Sequence, residues 1–331
     1  MQKVHLVNSE LEVSRLAFGC WGITDDAVWG ERDSTESTRT IHAAIDSGIN
    51  FFDSAEGYSG GNSEVLLGKA IAGRRDRVII ATKARPDSMG PAGVRQACER
   101  SLQRLGTDYI DLFQNHWFDP EVPVEVTWEA MIKLKEEGKV RSIGVSNAGV
   151  AHLRAVETLQ FPVTNQLPYN LLWRMIEQDI LPHCRDKNIG TMVYSPLQHG
   201  LIGDRFHAPD DVPEGRARSR HFHRDRPMTR HGELGCEEKT FAAIKGIRQI
   251  AKTIDCSTTD LALAWVASQP GVSCIVVGCR NEAQLESNMR ALEMGLSDQV
   301  LQQLSDVTEA VNRALGTNPD MWDGSGNGRY R

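Results

Sequence analysis

The stretch Ile49-Asn50-Phe51-Phe52-Asp53-Ser54-Ala55-Glu56-Gly57-Tyr58 decides the fold. Its first half is a short apolar run that stops on an aspartate. A polar loop carrying a tyrosine follows. Such a run, bounded by a turn, reads as a strand covered on both faces. Residues 35–47 before it read as a helix, with Ile41, Ala44 and Ile45 on one side and Gly48 as the stop. Residues 63–72 after it read as a second helix, with Ser63-Glu64 placing an acidic residue near the positive end of the dipole.

The same rhythm extends both ways along the chain. Strands are expected at 16–19, 78–81, 109–114, 142–145, 164–167, 191–194 and 273–277. Helices are expected at 91–105, 123–137, 150–159, 177–187, 241–253, 261–268, 282–292 and 298–313. Pro91 suits a first helical turn, because the amide it lacks has no partner there. Eight β-α units predict one closed, parallel eight-stranded β/α (TIM) barrel over residues 1–331, which needs about 250 residues for its core. The additions are an N-terminal β-hairpin (4–6 and 11–14), two extra helices and a long loop after strand seven. A doubly wound sheet is the competitor, but Gly19-Cys20-Trp21-Gly22 is not the glycine-rich phosphate loop it would need.

Four polar residues fall at or just beyond strand ends: Asp53, Tyr58, Lys83 and His116. That rim is where barrel loops place chemistry on a rigid base. Singly, each has a plain structural reading: a helix cap, a core tyrosine, a solvated lysine, a packed histidine. Together they form a proton-donating device. A phenol titrates near pH ~10, and a neighbouring ammonium lowers that value. Lys83 would supply the charge, Asp53 would hold Lys83, Tyr58 would give a proton to a carbonyl oxygen, and His116 would orient that oxygen.

Composition narrows the function classes. The 331 residues are 40% hydrophobic and 24% charged, with net charge −7. No basic face for nucleic acid is expected at that charge. Seven cysteines without a Cys-x-x-Cys pair read as reduced thiols. The N-terminus lacks the apolar core of a secretory signal, and no apolar run is long enough to span a bilayer. A cytoplasmic protein without membrane partner is expected, with a homo-oligomer compatible.

Several ordered blocks resemble the aldo-keto reductase family, from about residue 10 to about residue 290. They are Phe52 to Tyr58, Ser63-Glu64-Val65-Leu66-Leu67-Gly68, Ala81-Thr82-Lys83, Tyr109-Ile110-Asp111-Leu112, Gly138 to Asn147, Asn165 to Asn170 and Tyr194-Ser195-Pro196-Leu197. The resemblance implies a barrel that binds NADPH, with NADH as the other candidate. It implies Asp53, Tyr58, Lys83 and His116 as the catalytic four. Ser146, Asn147 and Gln166 would hold the nicotinamide carboxamide, and Tyr194 would stack under its ring. Ser195, Pro196, Leu197, Gly200 and Leu201 would hold the pyrophosphate. Gly278, Arg280, Gln284 and Asn288 would hold the adenosine end. Departures are Ser59 where the family often has glycine, Val276-Val277-Gly278 at the eighth strand, and the lack of a phosphate-contacting lysine.

The implied activity is reduction of an aldehyde or ketone, or oxidation of the matching alcohol or sugar. The alternative is a cofactor-sensing regulatory subunit resembling potassium-channel β-subunits, with little turnover. Trp21 and Trp117 directly follow strands and are expected to line the substrate mouth with Tyr58 and His116. Trp29 and Trp322 are further candidates for the same role, with surface packing as the plain alternative for both. Residues 203–235 are rich in arginine and histidine. They suggest a lid over the pyrophosphate or a dock for an anionic substrate, with Arg218 and Arg220 as its contacts. No metal site is expected, since no cysteine or carboxylate pattern completes His221 and His223.

Overall fold

The computed structural model describes residues 1–324, 329 and 330. A short antiparallel hairpin comes first, β1 (Lys3–His5) and β2 (Glu12–Ser14). The barrel strands are β3 (Leu16–Gly19), β4 (Phe51–Asp53), β5 (Ile79–Ala84), β6 (Ile110–Asn115), β7 (Val140–Ser146), β8 (Thr164–Pro168), β9 (Gly190–Tyr194) and β10 (Val272–Val277). Each pairs in parallel with its chain neighbour, and β10 pairs with both β9 and β3 to close the ring. Closure leaves no open sheet edge.

The helices are α1 (Ser34–Asp46), α2 (Asn62–Ala70), α3 (Pro91–Leu105), α4 (Val124–Glu136), α5 (Val150–Glu157), α6 (Ile180–Asp186), α7 (Glu237–Thr253), α8 (Thr258–Ser268), α9 (Glu282–Ala291) and α10 (Asp298–Leu315). The expected barrel, hairpin and extra helices are all present. The extra helices are α7 and α10, which pack on each other so closely that a Cβ on Gly246 would meet Val307 Cβ at 3.0 Å.

The barrel interior explains the placement of the site. Side chains alternate in and out along a strand. Ala17, Phe51, Ala81, Leu112, Met192, Cys274 and Val276 fill the inside, and Leu6, Leu11 and Val13 of the hairpin plug its N-terminal end. One step of two residues further along β4, β5 and β8 brings Asp53, Lys83 and Gln166 to the inner layer at the opposite end. The larger apolar layer lies between the strands and their helices.

Three local expectations change. Ser63 is not the first residue of α2. The helix starts at Asn62 after left-handed Gly61, and the Ser63 hydroxyl is buried, donating to Cys20 O at 2.7 Å. Residues 175–177 are a separate 3₁₀ turn, and α6 starts only at Ile180, with Pro182 in the first turn where a missing amide does no harm. Helix α7 begins at Glu237, four residues before its expected start.

Candidate active site

The centre is a buried ion pair. Lys83, with no exposed surface, donates to Asp53 Oδ2 at 2.8 Å and Ser54 O at 2.7 Å, and reaches Tyr58 OH at 3.4 Å. All three ammonium donors are thereby directed. Gln166 Nε2 donates to the other Asp53 oxygen at 2.7 Å. A buried lysine needs this much compensation, because an unpaired buried charge is among the costliest defects in a fold.

Tyr58 stands on a 3₁₀ turn, Tyr58–Gly61, in which Ser59 takes a left-handed conformation (φ 48°). Such a backbone persists only when its surroundings hold it. Thr24 Oγ1 donates to Ser59 Oγ at 2.8 Å, and Ser59 Oγ donates to Asp25 O at 2.9 Å. The phenol ring stacks on Trp21 (5.8 Å, 18°) and meets His116 edge-on (5.8 Å, 81°). The four catalytic candidates therefore converge on one point.

The charges do not act as the sequence suggests. Burial pushes the Tyr58 phenol well above its ordinary range, and the Asp53 carboxylate and Cys20 push it further. The expected acidification by Lys83 is not realised. Burial outweighs any pull of the ammonium, which lies closer to Asp53 than to the phenol. Burial, and then the Lys83 charge, push His116 down to about 3, which keeps its imidazole neutral.

Two cavities meet at Tyr58. One, of about 480 Å³, runs from Asp53 and Tyr58 past Tyr194 and Ser195–Leu197 to Gly278, Arg280, Gln284 and Asn288. Its middle is a tight loop in which Ser195, Gln198 and His199 are left-handed (φ 52°, 46° and 54°). Asn170 fastens that loop by donating to Ser195 O at 2.9 Å and Gln198 Oε1 at 2.7 Å. Its far end is cationic. Arg205, Arg216 and Arg280 face the cavity. The buried Nε of Arg216 has no hydrogen-bond partner among the described residues. The guanidinium of Arg280 donates to Trp29 O, and Gln284 Oε1 accepts from Arg280 N at 2.9 Å.

The other cavity, of about 440 Å³, is lined by Trp21, Tyr58, His116 and Trp117 together with Asn147, Gln166 and Tyr194; of the last three, Tyr194 also lines the first cavity while Asn147 and Gln166 do not. Residues of the long insert and of the C-terminal segment close it from above: Arg218, Met228, Arg230, Trp322 and Arg329. Asn147 is fully engaged. Its Oδ1 accepts from Tyr194 OH at 2.9 Å and Tyr330 OH at 2.6 Å, and its Nδ2 donates to His116 O at 3.0 Å and Ser146 Oγ at 3.1 Å.

Most sequence-predicted residues line one cavity or the other. Lys83, Ser146 and Leu201 line neither. Ser146 Oγ turns to Gln166 O at 3.0 Å, and Leu201 is buried in the core. Trp29 and Trp322 are not surface packing. Trp29 meets Trp21 edge-on (5.4 Å) at the first cavity, and Trp322 lines the second. Arg220 faces neither of these cavities. It is buried, pairs with Glu233 at 2.9 Å, and donates to Leu315 O and Asn318 O, both at 2.8 Å. Sequence reasoning missed Cys20, His199, Ser257 and Thr259 at the first cavity. Only the place of Cys20 directly after a strand could have flagged any of them.

Residues 15–309 match the profile described as the Aldo/keto reductase family. The aldo-keto reductase YhdN of Bacillus subtilis (strain 168) is 36% identical over 301 residues, 87% of each chain. The NADH-specific methylglyoxal reductase of Escherichia coli (strain K12) is 32% identical over 339 residues, 95% of this chain and 100% of its own. Among solved structures, the glycerol dehydrogenase from Gluconobacter oxydans aligns with a TM-score of 0.78 at 28% identity, covering 96% of this chain and 97% of its own. An aldo-keto reductase from Klebsiella pneumoniae in complex with NADPH aligns with a TM-score of 0.71 at 31% identity, covering 90% and 92%.

Proposed function

The chain belongs to the aldo/keto reductase family, and from that premise we propose that it is an NADPH-dependent carbonyl reductase with Tyr58 as its proton donor. The observation that carries the reading is the Lys83 ammonium bridging Asp53 and the Tyr58 phenol where the two cavities meet.

The first cavity has the donor set a dinucleotide needs. Tyr194 offers a flat ring beside Tyr58, and the left-handed loop at Ser195–Gly200 turns backbone toward a pyrophosphate. Arg205, Arg216 and Arg280 supply positive charge at the far end. Guanidinium is a planar, permanent donor and suits a 2′-phosphate, which favours NADPH over NADH. The bound cofactor supplies the hydride.

The chain's own residues manage the proton and the orientation. A raised phenol is protonated throughout the neutral range, the state a donor must be in before reaction. Neutral His116 cannot serve as a strong acid at that pH, so it positions the carbonyl oxygen by hydrogen bonding. Lys83 stabilises the phenolate once the proton has left, and Asp53 and Gln166 hold Lys83 in place. In the reverse direction, alcohol oxidation, the phenolate would have to form first. That demand makes reduction the favoured direction near neutral pH.

The test is a screen of aldehydes, ketones and aldoses with NADPH and with NADH, following the absorbance of the reduced nucleotide. Turnover with a lower KM for NADPH is expected. Tight nucleotide binding without turnover of any carbonyl would replace this reading with the cofactor-sensing one.

A further inference from the structure

The second cavity carries positive charge that the reduction chemistry does not use. Arg218 leans into it from the long insert, with its guanidinium carbon 4.6 Å from the Trp322 ring and 5.3 Å from the Trp21 ring. Among the described residues it forms no ion pair, and its buried Nε has no hydrogen-bond partner. Arg230 stands exposed at the mouth of the same cavity, also outside every ion pair among the described residues.

The neighbouring charges do not neutralise these two. Arg329 is already spent on Asp320, at 2.7 Å. The carboxylate nearest to Arg218 in effect is Asp26, and it is committed to its own loop. Asp26 accepts from Val28 N at 2.7 Å and from Trp21 Nε1 at 3.3 Å. A half-buried guanidinium with an unpaired nitrogen is costly to keep unless a ligand completes it. Arg216, two residues earlier on the same segment, faces the cofactor cavity instead, so Arg218 is not needed there.

The position of Arg218 sets the geometry of the ligand. Trp21 stacks on Tyr58 and also lies under the Arg218 guanidinium. The free cation is therefore one indole away from the proton donor.

Resting on the proposed reductase reading, we infer that the substrate is an oxo acid: an aldehyde or ketone whose carbonyl meets Tyr58 and His116 while a carboxylate at its far end is held by Arg218 and Arg230. The planar, forked guanidinium matches a carboxylate in two parallel hydrogen bonds. Trp21 and Trp117 line the same cavity as apolar surface for the body of the molecule.

The experiment compares para-carboxybenzaldehyde with para-methylbenzaldehyde, which differ at the far end in charge but little in size. With NADPH present, kcat/KM for the acid is expected to exceed that for the neutral aldehyde by roughly tenfold or more, the worth of one charge-assisted hydrogen-bond pair. The excess should shrink as salt is raised, because screening weakens attraction to a part-exposed cation. Arg218→Ala should lower the acid-to-neutral ratio by about the same factor, and Arg218→Lys should recover part of it. Arg230→Ala changes an exposed side chain and is a variant that folding cannot confound; it should lower the ratio too. Arg224→Ala, on the outer face of the same insert, should not move the ratio.

Equal handling of the two aldehydes by the unaltered protein would overturn the inference. So would a ratio that survives loss of both Arg218 and Arg230. If neither aldehyde nor any other carbonyl is reduced, the reductase reading itself fails. Calorimetry on the protein with NADP⁺ then still decides the anion preference: para-carboxybenzyl alcohol must bind more tightly than para-methylbenzyl alcohol, and equal affinities sink it.

Discussion

Lys83 Nζ lies 2.8 Å from Asp53 Oδ2 but 3.4 Å from the Tyr58 hydroxyl, so the ammonium serves the carboxylate first and the phenol second. This order of distances sets the pH response. With the phenol held above its ordinary range, the proton donor is loaded at every pH below that raised value. Carbonyl reduction is expected to stay flat through neutral pH and to fall only in the far alkaline range. Alcohol oxidation, which needs the phenolate, should climb as pH rises. A reduction rate that already halves around neutrality would contradict the geometry. His116, neutral above pH about 3, should contribute no limb near its ordinary value.

Asp53→Asn separates the two functions of the pair. After burial, the Asp53 charge is the next cause holding the phenol high. Without it the unopposed Lys83 ammonium favours phenolate, so the alkaline limb of reduction should move to lower pH. The rate plateau should also drop, because Lys83 loses its fixed position. A pH-rate profile of the variant checks both. Tyr58→Phe removes the donor outright and should cost roughly 100- to 10,000-fold in kcat. Nucleotide binding, followed by tryptophan fluorescence, should persist in that variant.

The alternation of apolar strands and one-sided helices made the barrel legible, since runs such as Phe51-Phe52 have nowhere to go but between two apolar layers. Asp53, Lys83 and His116 were legible for the same reason, as polar residues ending such runs. The sense of the Tyr58 shift was not. It depends first on how deeply the phenol is buried and then on the Asp53 carboxylate, neither of which spacing encodes. Nor could sequence sort Arg216, Arg218 and Arg220. They alternate along one turn-rich segment, yet they end respectively at the first cavity, at the second cavity and in the interior. Trp322, Arg329 and Tyr330 reach the site from the far end of the chain, and nothing local to them announces that.

Arg220 illustrates the consequence for stability. Its guanidinium ties the insert to the end of α10 and to the segment beyond it through Leu315 O, Asn318 O and Asp320 O. Arg220→Ala would leave Glu233 and those carbonyls unpaired in a largely buried place. Loss of one partner from such a network typically costs ~3–5 kcal/mol. A lower midpoint in urea unfolding is the expected result. Arg218→Ala, which breaks no ion pair, should leave that midpoint far closer to that of the unaltered protein.

Tyr330 and Asn147 give the last test. The Asn147 side chain has two acceptor positions and two donors, and the protein occupies all of them. If Asn147 reads a nicotinamide carboxamide, as the family resemblance implies, one of those partners must yield. Tyr330 is the one whose release costs least. Tyr194 is held by β9 and faces the cofactor cavity, and the His116 carbonyl and Ser146 hydroxyl belong to the barrel rim. Tyr330 lies outside every named strand and helix, and its ring meets Trp117 edge-on at 5.4 Å. Tyr330→Phe keeps that contact but frees one Asn147 lone pair. Nucleotide should then bind more tightly by roughly two- to tenfold, the net worth of a neutral hydrogen bond no longer in competition. Fluorescence titration with NADPH measures it. A weaker affinity would show instead that the Tyr330 hydroxyl belongs to the cofactor's receptor and stays when the carboxamide arrives.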